Sequence, residues 1–124
     1  MMTSAPAPSE QSTQESLCAE CGRPFKPTRK WSAFCSPTCR TLSNDRDRVQ
    51  GRALVKLGKA MRLGRNTSDP ELKRVAAWAM GEMCALLDDY IREDVKAGRP
   101  SALVYAAQVR AREYRPSLDR RGIK

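Results

Sequence analysis

The sequence predicts a mainly α-helical protein in which a small cysteine-rich module precedes a bundle of about three helices. Three observations predict this fold class. Four of the five cysteines lie within residues 18–39. The rest of the chain holds segments that begin at a capping residue and carry apolar side chains at spacings of three and four, as helices with one buried face do. The chain has 124 residues, which is enough for one domain, or for a small module and a helical part.

The segment 1–16 is rich in Ser, Pro, Gln and Ala and has no apolar periodicity, so we expect a disordered leader. It lacks the basic start and apolar core of a secretory signal. No later apolar run is long enough for a membrane-spanning helix. We therefore expect a cytoplasmic protein whose cysteines stay reduced.

The cysteines form two closely spaced pairs. Cys18 and Cys21 are followed by Gly22, a pattern typical of a tight turn that directs two thiolates at one point. Cys35 and Cys39 flank a Ser-Pro dipeptide, which predicts a helix N-cap with proline in the first helical position and places the second thiol in the first turn.

Four thiolates converging from a turn and a helix start predict a closed, tetrahedral, structural zinc site with one ion per chain. A module of about thirty residues buries too little apolar surface to fold alone, so the metal must supply folding free energy. Two disulfides in a secreted protein, or a redox CxxC motif, are the alternatives. The spacing favours metal.

The same residues resemble the treble-clef zinc fingers of the FCS type, found in small bacterial and phage zinc-finger proteins. The resemblance covers residues 18–44 and implies a knuckle, a short hairpin and a helix around one zinc, a module over 17–44. Members of such families bind nucleic acid or proteins, so the resemblance leaves the partner open. It rests on Cys18-Ala-Glu-Cys21-Gly22, Phe25, Phe34-Cys35-Ser36, Cys39-Arg40 and Asn44.

The loop between the cysteine pairs carries three aromatic residues. Phe25 and Phe34 flank a Pro-Thr-Arg-Lys turn, which predicts a short hairpin whose aromatic rings cover the metal. Trp31 lies beside Arg29 and Lys30, where it could stack on a nucleic-acid base or pack onto the adjacent helix. Both interpretations remain open at this point.

The first predicted helix spans 37–63 with Gly64 as its C-terminal cap, within a helical region over 37–115. Its apolar residues form a narrow stripe of Leu42, Val49, Ala53, Leu57, Ala60 and Met61. Five cations recur at spacings of four, four, three and three and fall within about 120° of arc. They form the basic ridge of Arg48, Arg52, Lys56, Lys59 and Arg62. Such a ridge suits a phosphate backbone, although many charged helix faces are simply solvated.

The second predicted helix spans 70–97, begins at an Asp-Pro cap and ends at Gly98. Its inner row, with coiled-coil spacing, is Leu72, Ala76, Ala79, Met83, Leu86 and Tyr90. A second row adds Ala77, Met80, Cys84, Leu87 and Ile91. So broad a face predicts packing on two neighbours, the first helix and either the third helix or a second protomer. Cys84 is then a core cysteine. Asp88, Asp89, Glu93 and Asp94 are expected to pair with the basic first or third helix.

The third predicted helix spans 101–115, is capped by Ser101 and stops at Pro116. Residues 116–124 form a basic tail, which we expect to be disordered.

The charge distribution indicates a polyanionic partner. Residues 17–66 carry 12 basic and 3 acidic residues, a net of +9, which equals the net charge of the whole chain. The sequence therefore predicts a non-enzymatic, zinc-dependent nucleic-acid-binding protein, such as a small regulator, acting on DNA or RNA. The expected finger contacts are Arg23, Lys26, Arg29, Lys30, Trp31 and Arg40, together with the basic ridge. The alternative is a protein-interaction adaptor or homodimer that uses the finger or the apolar face of the helix over 70–97. No nucleophile–base pair, open metal site or phosphate loop points to an enzyme.

Overall fold

A computed structural model describes residues 15–119, and within them the protein is mainly helical. The elements are strand β1 (Ser16–Leu17), strand β2 (Pro24–Phe25), helix α1 (Pro37–Gly64), helix α2 (Pro70–Ala97), helix α3 (Ala102–Ala111) and a final 3₁₀ turn (Pro116–Leu118). This confirms the predicted class of three helices with a short hairpin beside the cysteines. No helix in this part of the chain combines the length and apolar character needed to cross a bilayer. The described residues divide into two compact units, one combining 15–43 with 98–119 and the other comprising Asn44–Ala97.

The helices begin where the capping residues predict. The Ser36 hydroxyl accepts from the Cys39 N–H at 3.2 Å, and Asp69 Oδ1 accepts from the Glu71 N–H at 2.9 Å. Ser101 Oγ likewise accepts from the N–H of a residue in the first turn of α3, at 3.1 Å. Each cap satisfies a backbone donor that the first helical turn leaves without a partner.

The hairpin lies at a different place from the one predicted. β1 pairs antiparallel with β2, with Ser16 opposite Phe25 and Leu17 opposite Pro24, so the two strands enclose the first cysteine pair. The predicted hairpin between Phe25 and Phe34 is wrong. Pro27 follows β2 closely and cannot donate to a strand ladder, which helps to end the pairing there.

The termini also differ from prediction. Ser16 belongs to β1 and not to a leader, whereas residues 1–14 lie outside the described part. The predicted disordered tail is wrong at its start, because Pro116–Leu118 forms a 3₁₀ turn, and Asp119 accepts a hydrogen bond from the Tyr114 hydroxyl at 2.7 Å. Residues 120–124 are outside the described range.

α3 packs in the first unit against β1. The Gln108 side chain makes the two hydrogen bonds to the Leu17 backbone that a neighbouring strand would otherwise make. Its Oε1 accepts from the Leu17 N–H at 2.7 Å, and its Nε2 donates to the Leu17 carbonyl at 3.2 Å. α3 ends earlier than predicted. Glu113 adopts a left-handed φ of 59°, and the Tyr114 N–H bonds back to the Val109 carbonyl at 2.9 Å, which closes the helix.

In the second unit, α2 turns its inner row towards α1. Ala76 and Ala79 are buried, and a Cβ placed on Gly58 would lie 3.6 Å from the Met83 sulfur. A Cβ on Gly64 would lie 2.5 Å from the Cβ of Ala76, so the helices approach too closely there for any side chain. Gly64 is thus the last residue of α1, and close packing against Ala76 requires a glycine there. It is not the predicted left-handed cap. Gly98, with a φ of 75°, does adopt the left-handed conformation.

Several predicted core positions are exposed instead. Leu42, Val49 and Ala53 face solvent on α1, and so do Leu72 of the inner row and the whole second row of α2, including Cys84. The prediction of Cys84 as a core cysteine is therefore wrong. Two helices packed side by side bury only the facing stripe of each, and the buried residues of that stripe on α2 are Ala76 and Ala79. The prediction that Asp89 pairs with another helix is also wrong, because Asp89 pairs with Arg92 one turn later on α2.

Candidate metal centre and basic surfaces

The first cysteine pair lies in a tight turn that β1 and β2 hold closed. Cys18 follows β1 directly and is fully buried. Its N–H donates to the Arg23 carbonyl and its carbonyl accepts from the Gly22 N–H, both at 2.9 Å. Gly22 has a φ of 80°, a left-handed conformation that glycine adopts without strain and that turns the backbone around the thiols.

The second pair brackets the start of α1. Cys35 precedes the cap, and Cys39 lies in the first turn, where Ser36 holds its N–H. The Arg40 N–H also bonds to the Ser36 carbonyl, at 3.1 Å, so the turn that carries the last thiol is fixed from its first residue.

The four predicted ligands converge on one point. The Sγ atoms of Cys18, Cys21, Cys35 and Cys39 all lie within 4.8 Å of one another. The Cys21–Cys35 sulfur distance is 3.5 Å and the Cys35–Cys39 distance is 3.8 Å. A tetrahedral ion with Zn–S bonds of about 2.3 Å separates its sulfurs by about 3.8 Å. The donor set and its spacing therefore fit a tetrahedral metal ion with four sulfur ligands.

The environment of Cys18 favours its thiolate. Burial opposes ionisation, but backbone groups at Cys21, Cys35 and Glu20 hydrogen-bond to the sulfur and together lower the pKa of Cys18 to about 7. Backbone donors directed at a thiolate stabilise its charge, and a hydrogen bond from the Cys21 side chain adds to their effect. This sulfur is therefore prepared to bind a cation.

The opposite pair of thiols holds its protons more firmly. The Ser36 hydroxyl favours the Cys39 thiolate, but burial and the neighbouring thiols outweigh it and raise the pKa of Cys39 to about 12. The pKa of Cys35 is raised, chiefly by its contact with Cys21. Crowded sulfurs cannot all ionise without a cation between them, so metal binding must displace protons from this cluster.

The loop between the cysteine pairs also contacts a C-terminal residue that sequence reasoning missed. Arg112 donates from Nη1 to the Ser32 carbonyl at 2.7 Å and from Nε to the Gln108 carbonyl at 3.3 Å. These bonds join the loop between the cysteine pairs to the end of α3. Ser32 and Arg112 lie 80 positions apart in the chain, and no local pattern in the sequence connects them.

Trp31 is half-buried and packs against Tyr114, with ring centroids 6.3 Å apart and the planes inclined at 48°. The Arg29 guanidinium lies 5.6 Å from the centroid of the Trp31 ring. The aromatic partner of Trp31 thus comes from the segment after α3. The sequence also allowed Trp31 to pack on the adjacent helix α1, but its ring partner is Tyr114. The left-handed Glu113 turns the chain so that Tyr114 reaches this position.

The predicted cations of the finger are all exposed, and three of them line one open groove of about 600 Å³, the finger groove. Lys26, Arg29 and Arg40 lie along it together with Trp31. Ser36 and Pro37 also line it, so the positive end of the α1 dipole adds to the field. The other wall includes Phe25, Phe34 and Cys35. Of the remaining two cations, Lys30 lines a neighbouring cleft with Trp31 and Tyr114, and Arg23 lies exposed just before β2.

The basic ridge belongs to the second unit, and its five members are exposed. Four of them border a shallow groove on α1, with Gly51 and Val55 between them, and the fifth, Arg62, lies in the last turn. Arg48 pairs with Asp45 on the same helix. The side chains of Arg52, Lys56 and Lys59 therefore project from one side of α1, as the helical spacing predicts.

Comparisons of this chain with protein-family models, with curated proteins and with solved structures find no match. The four-cysteine cluster is compatible with a zinc finger on its geometry alone.

Proposed function

We propose that this protein is a non-enzymatic, zinc-dependent nucleic-acid-binding protein whose metal centre is a treble-clef finger of the FCS type. The observation that carries the proposal is the finger groove, where three cations, a tryptophan and a helix N-terminus line one surface. Such a surface combines the charge that binds phosphates with an aromatic ring, as in proteins that bind single strands. A cytoplasmic location agrees with this function, because a reducing compartment keeps the ligand thiols free.

Zinc is the metal proposed, since four thiolates in tetrahedral array are its usual structural ligands. Elemental analysis of freshly purified protein is expected to give one zinc per chain. Cys39→Ser is expected to lose the metal, whereas Cys84→Ser, which changes an exposed thiol outside the cluster, keeps it. Zinc loss in the Cys84→Ser protein would show that the ligand set is wrong.

The binding proposal is tested by titrating the zinc-loaded chain with duplex DNA, single strands and structured RNA at several salt concentrations. If about five phosphates on a duplex are neutralised, the logarithm of the affinity falls against the logarithm of salt with a slope of about −4.5. The double change Lys26→Glu and Arg40→Glu in the finger groove is expected to weaken binding. The triple change of Arg52, Lys56 and Lys59 to Glu on the basic ridge is also expected to weaken binding.

The matched control replaces Lys73 and Lys96, two exposed lysines of α2, with Glu. It alters the net charge as much as the finger-groove double variant does, and zinc content and helicity are measured for all proteins. Equal losses in the finger-groove and control variants would mean that only total charge matters. Absence of binding to every nucleic acid at low salt would overturn the proposal.

A protein-interaction adaptor is the second candidate function, and the exposed second row of α2 is the observation that favours it. An acidic protein partner for the finger groove would produce the same dependence on Lys26 and Arg40 without any nucleic-acid affinity.

A further inference from the structure

A second cleft lies beside the finger groove, where the loop between the cysteine pairs meets the segment that follows α3. It is open and has a volume of about 430 Å³, within the range of about 300–1,000 Å³ that small-molecule sites occupy. Its apolar lining consists of Trp31, Tyr114 and Leu118, and we call it the tyrosine cleft. Trp31 also lines the finger groove, so the two depressions share this side chain.

The packing around the tyrosine cleft fixes one aromatic side chain and leaves apolar surface open. Tyr114 is 9% exposed, its ring centroid lies 6.3 Å from that of Trp31, and its hydroxyl donates to Asp119 at 2.7 Å. Trp31 is only half-buried, and Leu118 on the 3₁₀ turn is 68% exposed. Tyr114 therefore supports Trp31, while the indole ring and Leu118 offer a planar ligand an apolar surface.

The charges of the tyrosine cleft differ from those of the finger groove. Lys30 and Arg115 line the cleft, and so do the carboxylates of Glu113 and Asp119. The described residues that line the finger groove include three cations and no carboxylate. A surface of cations suits phosphate groups, whereas a cleft of both signs suits a ligand that carries a hydrogen-bond donor at its edge and a phosphate nearby.

Glu113 occupies a position whose backbone favours glycine. Its φ of 59° is left-handed, a conformation that is uncommon for a residue with a Cβ. The Glu113 N–H donates to the Arg110 carbonyl at 2.9 Å, which holds the turn in place. A carboxylate kept at a strained backbone position beside a cleft indicates a use for the side chain beyond the turn itself.

We infer that the tyrosine cleft binds an unpaired nucleobase of a single strand whose other phosphates lie in the finger groove, and this inference rests on the proposed function. The base contacts Trp31 and Leu118, while Lys30 and Arg115 attract the phosphates that flank it. The Glu113 carboxylate accepts a hydrogen bond from an exocyclic amino group of the base. The cleft therefore prefers cytosine, which carries an amino group at N4, to thymine, which carries a carbonyl oxygen at O4.

An organic cation is the other class of ligand that aromatic rings and carboxylates attract together. Lys30 and Arg115 line the same cleft and repel such a cation. A nucleotide, in contrast, uses the aromatic, the acidic and the basic lining residues at once. The base is thus the ligand that the whole set of side chains favours.

Intrinsic fluorescence of the zinc-loaded full chain tests this inference. The chain has two tryptophans, and replacing the exposed Trp78 of α2 with Phe leaves Trp31 as the reporter. Oligo(dC) and oligo(dT) of equal length are titrated into this protein at low salt and neutral pH. Stacking is expected to quench the Trp31 emission. Oligo(dC) is expected to bind at least about fivefold more tightly than oligo(dT), the lower end of what a base-edge contact discriminates.

Two further variants test the role of the carboxylate. Glu113→Gly removes it and relieves the left-handed strain, so the fold is retained and the preference for oligo(dC) is expected to disappear. The matched control Glu82→Gln removes the same charge from an exposed side chain of α2 and should keep the preference.

The outcomes separate this inference from the proposed function. An unchanged Trp31 emission at saturation, equal affinities for the two oligonucleotides, or a preference that survives Glu113→Gly would each overturn the inference and leave the proposed function standing. Binding to duplexes without affinity for single strands would do the same. Absence of binding to every nucleic acid at low salt would overturn both.

Discussion

The contact between Gln108 and β1 predicts that a residue far outside the cysteine cluster controls metal affinity. Gln108→Ala removes two hydrogen bonds to the Leu17 backbone, of 2.7 and 3.2 Å. A neutral hydrogen bond contributes about 1 kcal/mol net, and Leu17 is partly exposed, so water replaces some of the loss; the total is about 1–2 kcal/mol.

That loss is expected to appear as weaker zinc binding. β1 leads directly into Cys18, and a module this small would gain its folding free energy from the metal, so we expect a change that destabilises the fold to weaken the site equally. At 1.4 kcal/mol per factor of ten, the predicted loss of zinc affinity is about 5- to 30-fold.

Competition with a chromophoric zinc chelator at fixed pH measures the effect. Arg110→Ala is the matched control, since it truncates an exposed side chain on the same helix and should change the affinity by less than about twofold. Equal weakening in the two variants would mean that the effect does not come from the bonds between Gln108 and Leu17, since Ala does not lower the helix propensity of α3. Wild-type affinity and an unchanged unfolding temperature for Gln108→Ala would refute the view that α3 completes the finger.

Two further predictions concern pH and helix packing. Zinc affinity should fall as the pH is lowered from about 8 to about 6, because the ion displaces the Cys39 proton throughout. The fall should steepen below about 7, where Cys18 also takes up a proton, and chelator competition that shows no pH dependence would contradict thiolate ligation. Gly51→Ala should stabilise the protein by about 1 kcal/mol in urea unfolding, since its Cβ meets open space within α1. Gly64→Ala, whose Cβ would lie 2.5 Å from a neighbouring Cβ, should destabilise it, and a stabilised Gly64→Ala protein would show that the helices are not so close.

The metal ligands and the helix starts could be predicted because their signals are local. A CxxC motif followed by glycine and a Ser-Pro cap each act within four residues, and the structure places Cys18, Cys21, Cys35 and Cys39 together as expected. The backbone donors that lower the pKa of Cys18 come from the same short segments. Local chemistry thus determines most of the candidate centre.

The supporting contacts could not be predicted, since they join distant parts of the chain. Gln108 and Leu17 are 91 residues apart, and a glutamine on a short helix carries no sequence signal for a strand edge. The sequence predicts the hairpin on the wrong side of Phe25, because that residue alone does not indicate whether it pairs upstream or downstream. The sequence predicts burial of the second row of α2, but the row is exposed. Apolar periodicity shows that a helix face is apolar, and it does not show whether a neighbouring element covers that face.

Metal binding and the docking of α3 are expected to depend on each other within the first unit. A metal ion held by the four cysteines would fix β1 through Cys18 and the start of α1 through Cys39, while Gln108 and Arg112 bind the backbone of β1 and of the loop. Among the described residues of this unit, the buried apolar side chains are Cys18, Ala33, Val109 and Tyr114, so apolar burial alone gives this module little stability. Each set of contacts holds in place the backbone that the other set requires. Loss of the metal should therefore release α3 from the finger, and loss of the α3 contacts should loosen the metal.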